Sequence, residues 1–401
     1  MYLKLKSRNK VFRSLAFSGR AAAHFFALCF LSVGCDPPPP QPQADAAYHV
    51  YPGDDIQTAL EAAARDSIHK TVKVHAGTYR PQQAGQAMLF FAARHDGITL
   101  EAVGRVVLTA AHAERADPDA ASYPAIVNHV VFFGDGISQR TVLRGFTITG
   151  ANNFASRSEG PEPIQPDSSN GVRWEKGLFF YADGGGIKVF GRSYPTLEGL
   201  DLHDNYASPC GGGISIEHRG FDAAAVLIKN SIFRNNSCQI TGAAVDVLPG
   251  SAVVLDNCLF VGNVANLGPD YVGRRGGVEY NKAHGSGALT VFPGARVEVR
   301  NCTFTDNWNG VDDKGRGSSY RNTIFWMNVR GGGIAPSSRY EVDLLNSRRF
   351  SGCFIRGQID DLRGTLDPER NVLQAPDPQF DEHYRPQAPA YAGVGYRPPK
   401  E

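Results

Sequence analysis

From residue 183 to 330 the apolar and polar positions alternate in short runs that never lengthen into a helical stripe. Gly185-Gly186-Ile187-Lys188-Val189, Gly212-Gly213-Ile214-Ser215-Ile216, Ala243-Ala244-Val245-Asp246-Val247 and Gly287-Ala288-Leu289-Thr290-Val291 each set two aliphatic residues two positions apart behind a small pair. A second pattern, Asn-x-x-Phe-x-x-Asn, falls between them at Asn230 to Asn236, Asn257 to Asn263, Asn301 to Asn307 and Asn322 to Asn328. A degenerate copy runs from Gly199 through Leu202 to Asn205. Alternation with period two predicts half-buried strands.

The last Asn of the second pattern returns after 31, 27, 44 and 21 residues. Two short strands and two tight turns at that spacing make one coil of a parallel β-helix, each coil stacked about 4.8 Å above the last. The 44-residue step is then a coil with an insertion. Inward positions give aliphatic stacks through Ile187, Ile214, Val245 and Leu289 and an aromatic stack through Phe233, Phe260, Phe304 and Phe325. Asn205, Asn236, Asn263, Asn307 and Asn328 are expected to form an amide ladder along the axis. Cys258 and Cys302 fall in one inward slot of successive coils.

The paired motifs resemble the repeats of polymorphic outer-membrane proteins and, more broadly, the pectate-lyase-like β-helix superfamily. That resemblance implies an all-β, single-domain right-handed parallel β-helix solenoid, and it specifies fold far more than activity. Asp54 and Asp55, ahead of the amphipathic stretch Ile56 to Ala64, predict a capping helix at the N-terminal end of the stack. This helix followed by Gly77-Thr78-Tyr79 resembles the usual start of the superfamily's domains, and Asp377 to Pro386 its usual end. Residues 48–401 are expected to be one domain and one monomer.

With 44 Gly, 25 Pro and 3 Met, the composition suits many short strands. Residues 1–34 carry six Lys and Arg, no acidic residue, and the apolar run Ala21 to Val33, as an export signal does. Leu31-Ser32-Val33-Gly34-Cys35 resembles a lipoprotein signal-peptidase box, which implies acylation of Cys35. Residues 35–47 then form a Pro-rich spacer, and the domain sits in the cell envelope, in the periplasm or at the cell surface, held to a membrane by lipid. Removal of residues 1–34 leaves 35 Lys and Arg against 40 Asp and Glu, a net charge of −5. That balance excludes nucleic acid as the expected partner. Five cysteines remain beyond Cys35, and Cys210 and Cys238, in turns of neighbouring coils, are candidates for a disulfide.

Two insertions, at 153–183 and 264–284, leave the coil at the same corner and are expected to wall a groove. Its floor is read as exposed Lys188, Ser215, Asp246 and Thr290, with Glu217 and His218 beside them. The first wall supplies Trp174 and Tyr181, the second Arg274, Arg275, Tyr280, Lys282 and His284. Charged groups interleaved with rings suit a polysaccharide or surface glycan. The resemblance implies lyase or epimerase chemistry on a uronate polymer, in which Lys188, Lys282 or His284, its pKa lowered, is the base. Arg274, Arg275 or a calcium ion would neutralise the carboxylate, although the sequence shows no acidic calcium triad. A hydrolase would use Asp246 and Glu217, and a non-catalytic adhesion or structural module is the alternative. As exposed groups, Lys188 and Asp246 would tolerate alanine without loss of stability. Asp312-Asp313-Lys314-Gly315 is read as a charged turn, with Lys314 outside the groove.

Overall fold

The computed structural model describes residues 40–153, 183–208, 210–265, 287–315, 317–328, 340–345, 349–357 and 362–399. Within them every ladder between named strands is parallel, and each coil contributes one strand to each of three faces. Face 1 contains Val142–Arg144, Thr196–Glu198, Val226–Lys229, Ala252–Asp256, Arg296–Arg300 and Ser319–Arg321. Face 2 contains Thr147–Thr149, Asp201–His203, Ile232–Arg234, Leu259–Val261, Thr303–Thr305 and Ile324–Trp326. Face 3 contains Val127–Phe133, Ile187–Phe190, Ile214–Glu217, Val245–Val247, Leu289–Val291, Val311–Asp313 and Val342–Leu344. The long strands Thr71–Tyr79 and Thr99–Thr109 run through faces 1 and 2 without a break at the start of the stack.

The corner between faces 1 and 2 needs one residue in the left-handed region. Gly199 (φ 61°), Asn230 (54°), Asn257 (54°), Asn301 (53°) and Asn322 (49°) occupy it in successive coils. Gly and Asn are the residues that bear this conformation at least cost. This is why the first Asn of the repeat can be replaced by Gly199. The last Asn does different work. Asn205, Asn236, Asn263, Asn307 and Asn328 are buried, and each side-chain amide donates to the next Asn Oδ1 at 2.7–3.1 Å and to a backbone carbonyl of the preceding coil. The ladder ends on Glu341, which accepts from Asn328 Nδ2 at 2.6 Å.

Inside, Phe233, Phe260, Phe304 and Phe325 stack with centroids 4.8, 4.2 and 5.2 Å apart. The Cys258 backbone N–H meets Cys302 Sγ at 3.4 Å, and both thiols are buried in the core. Helix α1 (Ile56–Arg65) closes the N-terminal end of this core. Its Asp55 cap accepts from the Gln57 and Thr58 N–H groups, and Ile56, Ala59, Leu60 and Ala63 are buried. At the other end the chain turns back over the outside of face 2. Tyr391 and Val394 cover Ile324, and Tyr396 covers Leu259 and Val261. Its backbone N–H groups fix this strap across three coils, Gly395 N donating to the Asn322 carbonyl, Tyr396 N to Thr303 Oγ1 and Arg397 N to Asn257 Oδ1.

One expectation fails here. Val311, Asp312 and Asp313 are a face 3 strand in register with Leu289, Thr290 and Val291, not a turn. The sequence disguises it because Asp313 takes an inward slot, where Tyr320 Oη donates to its carboxylate at 2.8 Å.

Candidate functional site

Outward side chains of face 3 stack into a column that strand register fixes as Phe132, Lys188, Ser215, Asp246, Thr290, Asp312 and Asp343. The structure brings Lys188, Ser215, Asp246 and Thr290 together as the sequence pattern implies, but they are not exposed. Lys188, Ser215 and Asp246 are 0% exposed and Thr290 is 3% exposed. An open groove floor of freely substitutable residues is therefore wrong, because each of these groups is packed and two of them, Lys188 and Asp246, are ionisable.

Lys188 lies at the centre of the first cluster. Its ammonium donates to Glu217 Oε2 at 2.8 Å and Ser215 Oγ at 3.2 Å, with Asp183 Oδ2 at 3.9 Å. Burial alone would lower its pKa, but the Glu217 and Asp183 carboxylates outweigh that and hold it above the ordinary lysine value. This contradicts the expectation of a lysine base with a lowered pKa. Glu217 also accepts from Arg219 Nε at 2.9 Å, so its carboxylate is shared between two cations.

Asp246 sits one strand further along. Its Oδ1 accepts from Thr241 Oγ1 at 3.0 Å, and its Oδ2 has no hydrogen-bond partner among the described residues. Burial, reinforced by the Asp183 charge, pushes the Asp246 carboxyl well above the usual carboxylate range and so favours its protonated form. Beyond Thr290 comes the second cluster. Asp312 Oδ2 accepts from Tyr340 Oη at 3.2 Å, and Lys314 Nζ lies 3.1 Å from Asp312 Oδ1 and 2.7 Å from Asp343 Oδ1. Burial pushes Asp312 up to about 6 against the opposing pull of Lys314. Lys314 therefore belongs beside the column, not outside it.

His218 leaves the column. Its Nδ1 accepts from Ala252 N at 3.3 Å, its ring packs edge-on to Tyr194, and burial lowers its pKa to about 4, which marks a structural histidine. Trp174, Tyr181, Arg274, Arg275, Tyr280, Lys282 and His284 lie outside the described residues, as does Cys35. Cys210 and Cys238 are free buried thiols rather than a disulfide. Thr241 stands between them, its hydroxyl 3.0 Å from Cys210 Sγ and its carbonyl accepting from Cys238 Sγ at 3.0 Å.

Calcium does not fit the column. Its acidic groups already enclose an ammonium at each end, Lys188 between Glu217 and Asp183 and Lys314 between Asp312 and Asp343. No group of three or more acidic, His or Cys side chains among the described residues is arranged to hold a metal ion.

Sequence reasoning missed Asp183, Asp312, Tyr340 and Asp343. A signal for two of them was present. Val245-Asp246, Val311-Asp312 and Val342-Asp343 repeat one dipeptide at one register.

Residues 133–280 and 180–328 match the family described as right handed beta helix region. Among solved structures the chain is similar to the pectate lyase Pel9A at 16% identity, with 77% of this chain and 69% of that one covered and a TM-score of 0.33. It is also similar to the catalytic domain of an α-1,3-glucanase in complex with tetrasaccharides, at 11% identity, 79% and 70% coverage and a TM-score of 0.25. No curated protein sequence matches the chain. Parallel ladders that stack coil on coil through three faces, together with a family match extending over 133–328, make this chain a right-handed parallel β-helix.

Proposed function

We propose that the protein binds and cleaves polysaccharide at the face 3 column, by hydrolysis between Asp246 and Asp312. The observation that carries this is the pair of buried carboxyls pushed upward to different extents on alternate coils. Pairs of titratable groups driven apart by their surroundings are how one site holds an acid and a base at once. Asp246, whose burial favours the protonated carboxyl, serves as the acid that protonates the leaving oxygen. Asp312, ionised above about 6, serves as the base that takes a proton from water. Two strand spacings separate them by about 10 Å, close to the upper end of the distance that leaves room for that water. Lys188, held protonated, cannot abstract a proton at neutral pH, which weighs against lyase or epimerase chemistry through that residue. The superfamily resemblance supplies the substrate class. Because Asp246 is fully buried, turnover requires the column to become accessible to substrate.

One observation favours a second reading. Complete burial and mutual pairing are also what a purely supporting polar ladder shows, and a β-helix of that kind would bind or scaffold without turnover. Reducing-end release from a panel of neutral and acidic polysaccharides separates the two. Hydrolysis predicts release without unsaturated ends, and a fall of at least about 100-fold in Asp246→Asn and Asp312→Asn. No release from any polymer, with both variants as stable as the parent or more so, would leave the column structural.

The reading places this chemistry on an exported, lipid-anchored protein of the cell envelope. Support comes from the basic, acid-free stretch before Cys35 and the Pro-rich segment after it. Mass spectrometry of the mature N-terminus is expected to find acylated Cys35, and an unmodified N-terminus beyond that residue would end the idea.

A further inference from the structure

A cavity lies at the N-terminal end of the solenoid and shares no residue with the face 3 column. It has a volume of about 280 Å³, between the loop that leads into helix α1, the end of strand Thr71–Tyr79 and the start of strand Gly85–Phe91. Pro81 and Met88 line it with apolar surface. Asp54, Thr78, Arg80 and Gln82 line it with polar groups.

The state of those polar groups narrows what the cavity holds. Asp54 uses Oδ2 to accept from Tyr51 N at 2.8 Å, and its Oδ1 makes no hydrogen bond among the described residues. The side chains of Thr78, Arg80 and Gln82 likewise make none there, so acceptors and donors both stand ready for a ligand or for water. The nearby helix N-terminus does not recruit an anion, because the Asp55 carboxylate already takes the Gln57 and Thr58 N–H groups. The formal charges also oppose an anion, with two carboxylates against a single guanidinium. A neutral ligand that offers hydroxyls to Asp54 and Arg80, and a C–H face to Pro81 and Met88, matches both the balance of donors and the apolar wall.

We infer that this cavity binds one ring of a neutral sugar, as a subsite separate from the column. The inference does not depend on the column being catalytic, since a binding module would use the cavity in the same way.

Saturation-transfer NMR on the full chain with glucose, galactose, mannose and their disaccharides tests it. At least one of these is expected to receive saturation. Arg80→Ala, an exposed change that leaves the fold intact, should weaken that binding at least about tenfold, and Met88→Trp should abolish it by filling the space. Asp246→Asn should leave it unchanged, so that failure of the column and failure of this subsite are read separately. Absence of transfer to every neutral sugar, equal binding by the parent and Arg80→Ala, or preference for glucuronate over glucose would each overturn the inference.

Discussion

Lys188 and Asp312 show how burial acts in opposite directions on stability. Lys188 is tolerable in a dry position only because Glu217 and Asp183 surround it, and removing the cation leaves those carboxylates unmatched. Lys188→Met should therefore cost about 3 to 5 kcal/mol in denaturant melts. Asp246→Asn should cost little, because burial already favours the neutral form of that carboxyl. An equal cost for the two would mean that Asp246 is ionised in the folded protein. For Asp312 the folded pKa, about 6, lies above its ordinary 3.8. Between those values the native state keeps a proton that the unfolded chain has lost, so this residue makes stability fall as pH rises through that window. The total is about 3 kcal/mol. Asp312→Asn should gain on the parent by that order between pH 4 and 7, and a constant difference would refute the assignment.

Elements built from the repeat were legible in the sequence because each coil restates them. The ladder from Asn205 to Asn328 and the Phe233 to Phe325 stack appear in the structure at the registers the spacing implies. Phe260→Ala, which takes a ring from the middle of that stack, should cost about 3 to 5 kcal/mol through lost burial and the cavity left behind. An exposed Phe would shift the denaturant midpoint far less, so a negligible change would contradict the stacking. The face 3 strand at Val311–Asp313 was not legible, because Asp313 breaks the apolar alternation that defines a strand. What rescues the aspartate is the Tyr320 hydroxyl from face 1, a contact across the coil that no local pattern reports. The burial of Lys188 and Asp246 was hidden for a related reason. Alternation tells which way a side chain points from its strand, but not what lies over it.

At the scale of the whole molecule, a solenoid gains stability from contacts between neighbouring coils, so a segment crossing several coils couples what would otherwise be nearly independent steps. The C-terminal strap does this. It covers outward residues on three coils of face 2, apolar Leu259 and Ile324 and the Thr303 hydroxyl between them, and it runs against the direction of stacking. The apolar outward positions Ile232, Leu259 and Ile324 break the usual polar exterior of such a face, and the strap is the reason they can. Deleting residues 375–401 should therefore expose that surface and lower the melting midpoint. Amide exchange should rise first in the coils spanning 232–326, while the coils beneath helix α1, around Val72 and Leu100, keep their protection because their cap is intact. Exchange that rises evenly along the axis would show instead that the stack unfolds as one unit, with the strap contributing to its total stability but not to the coupling of particular coils.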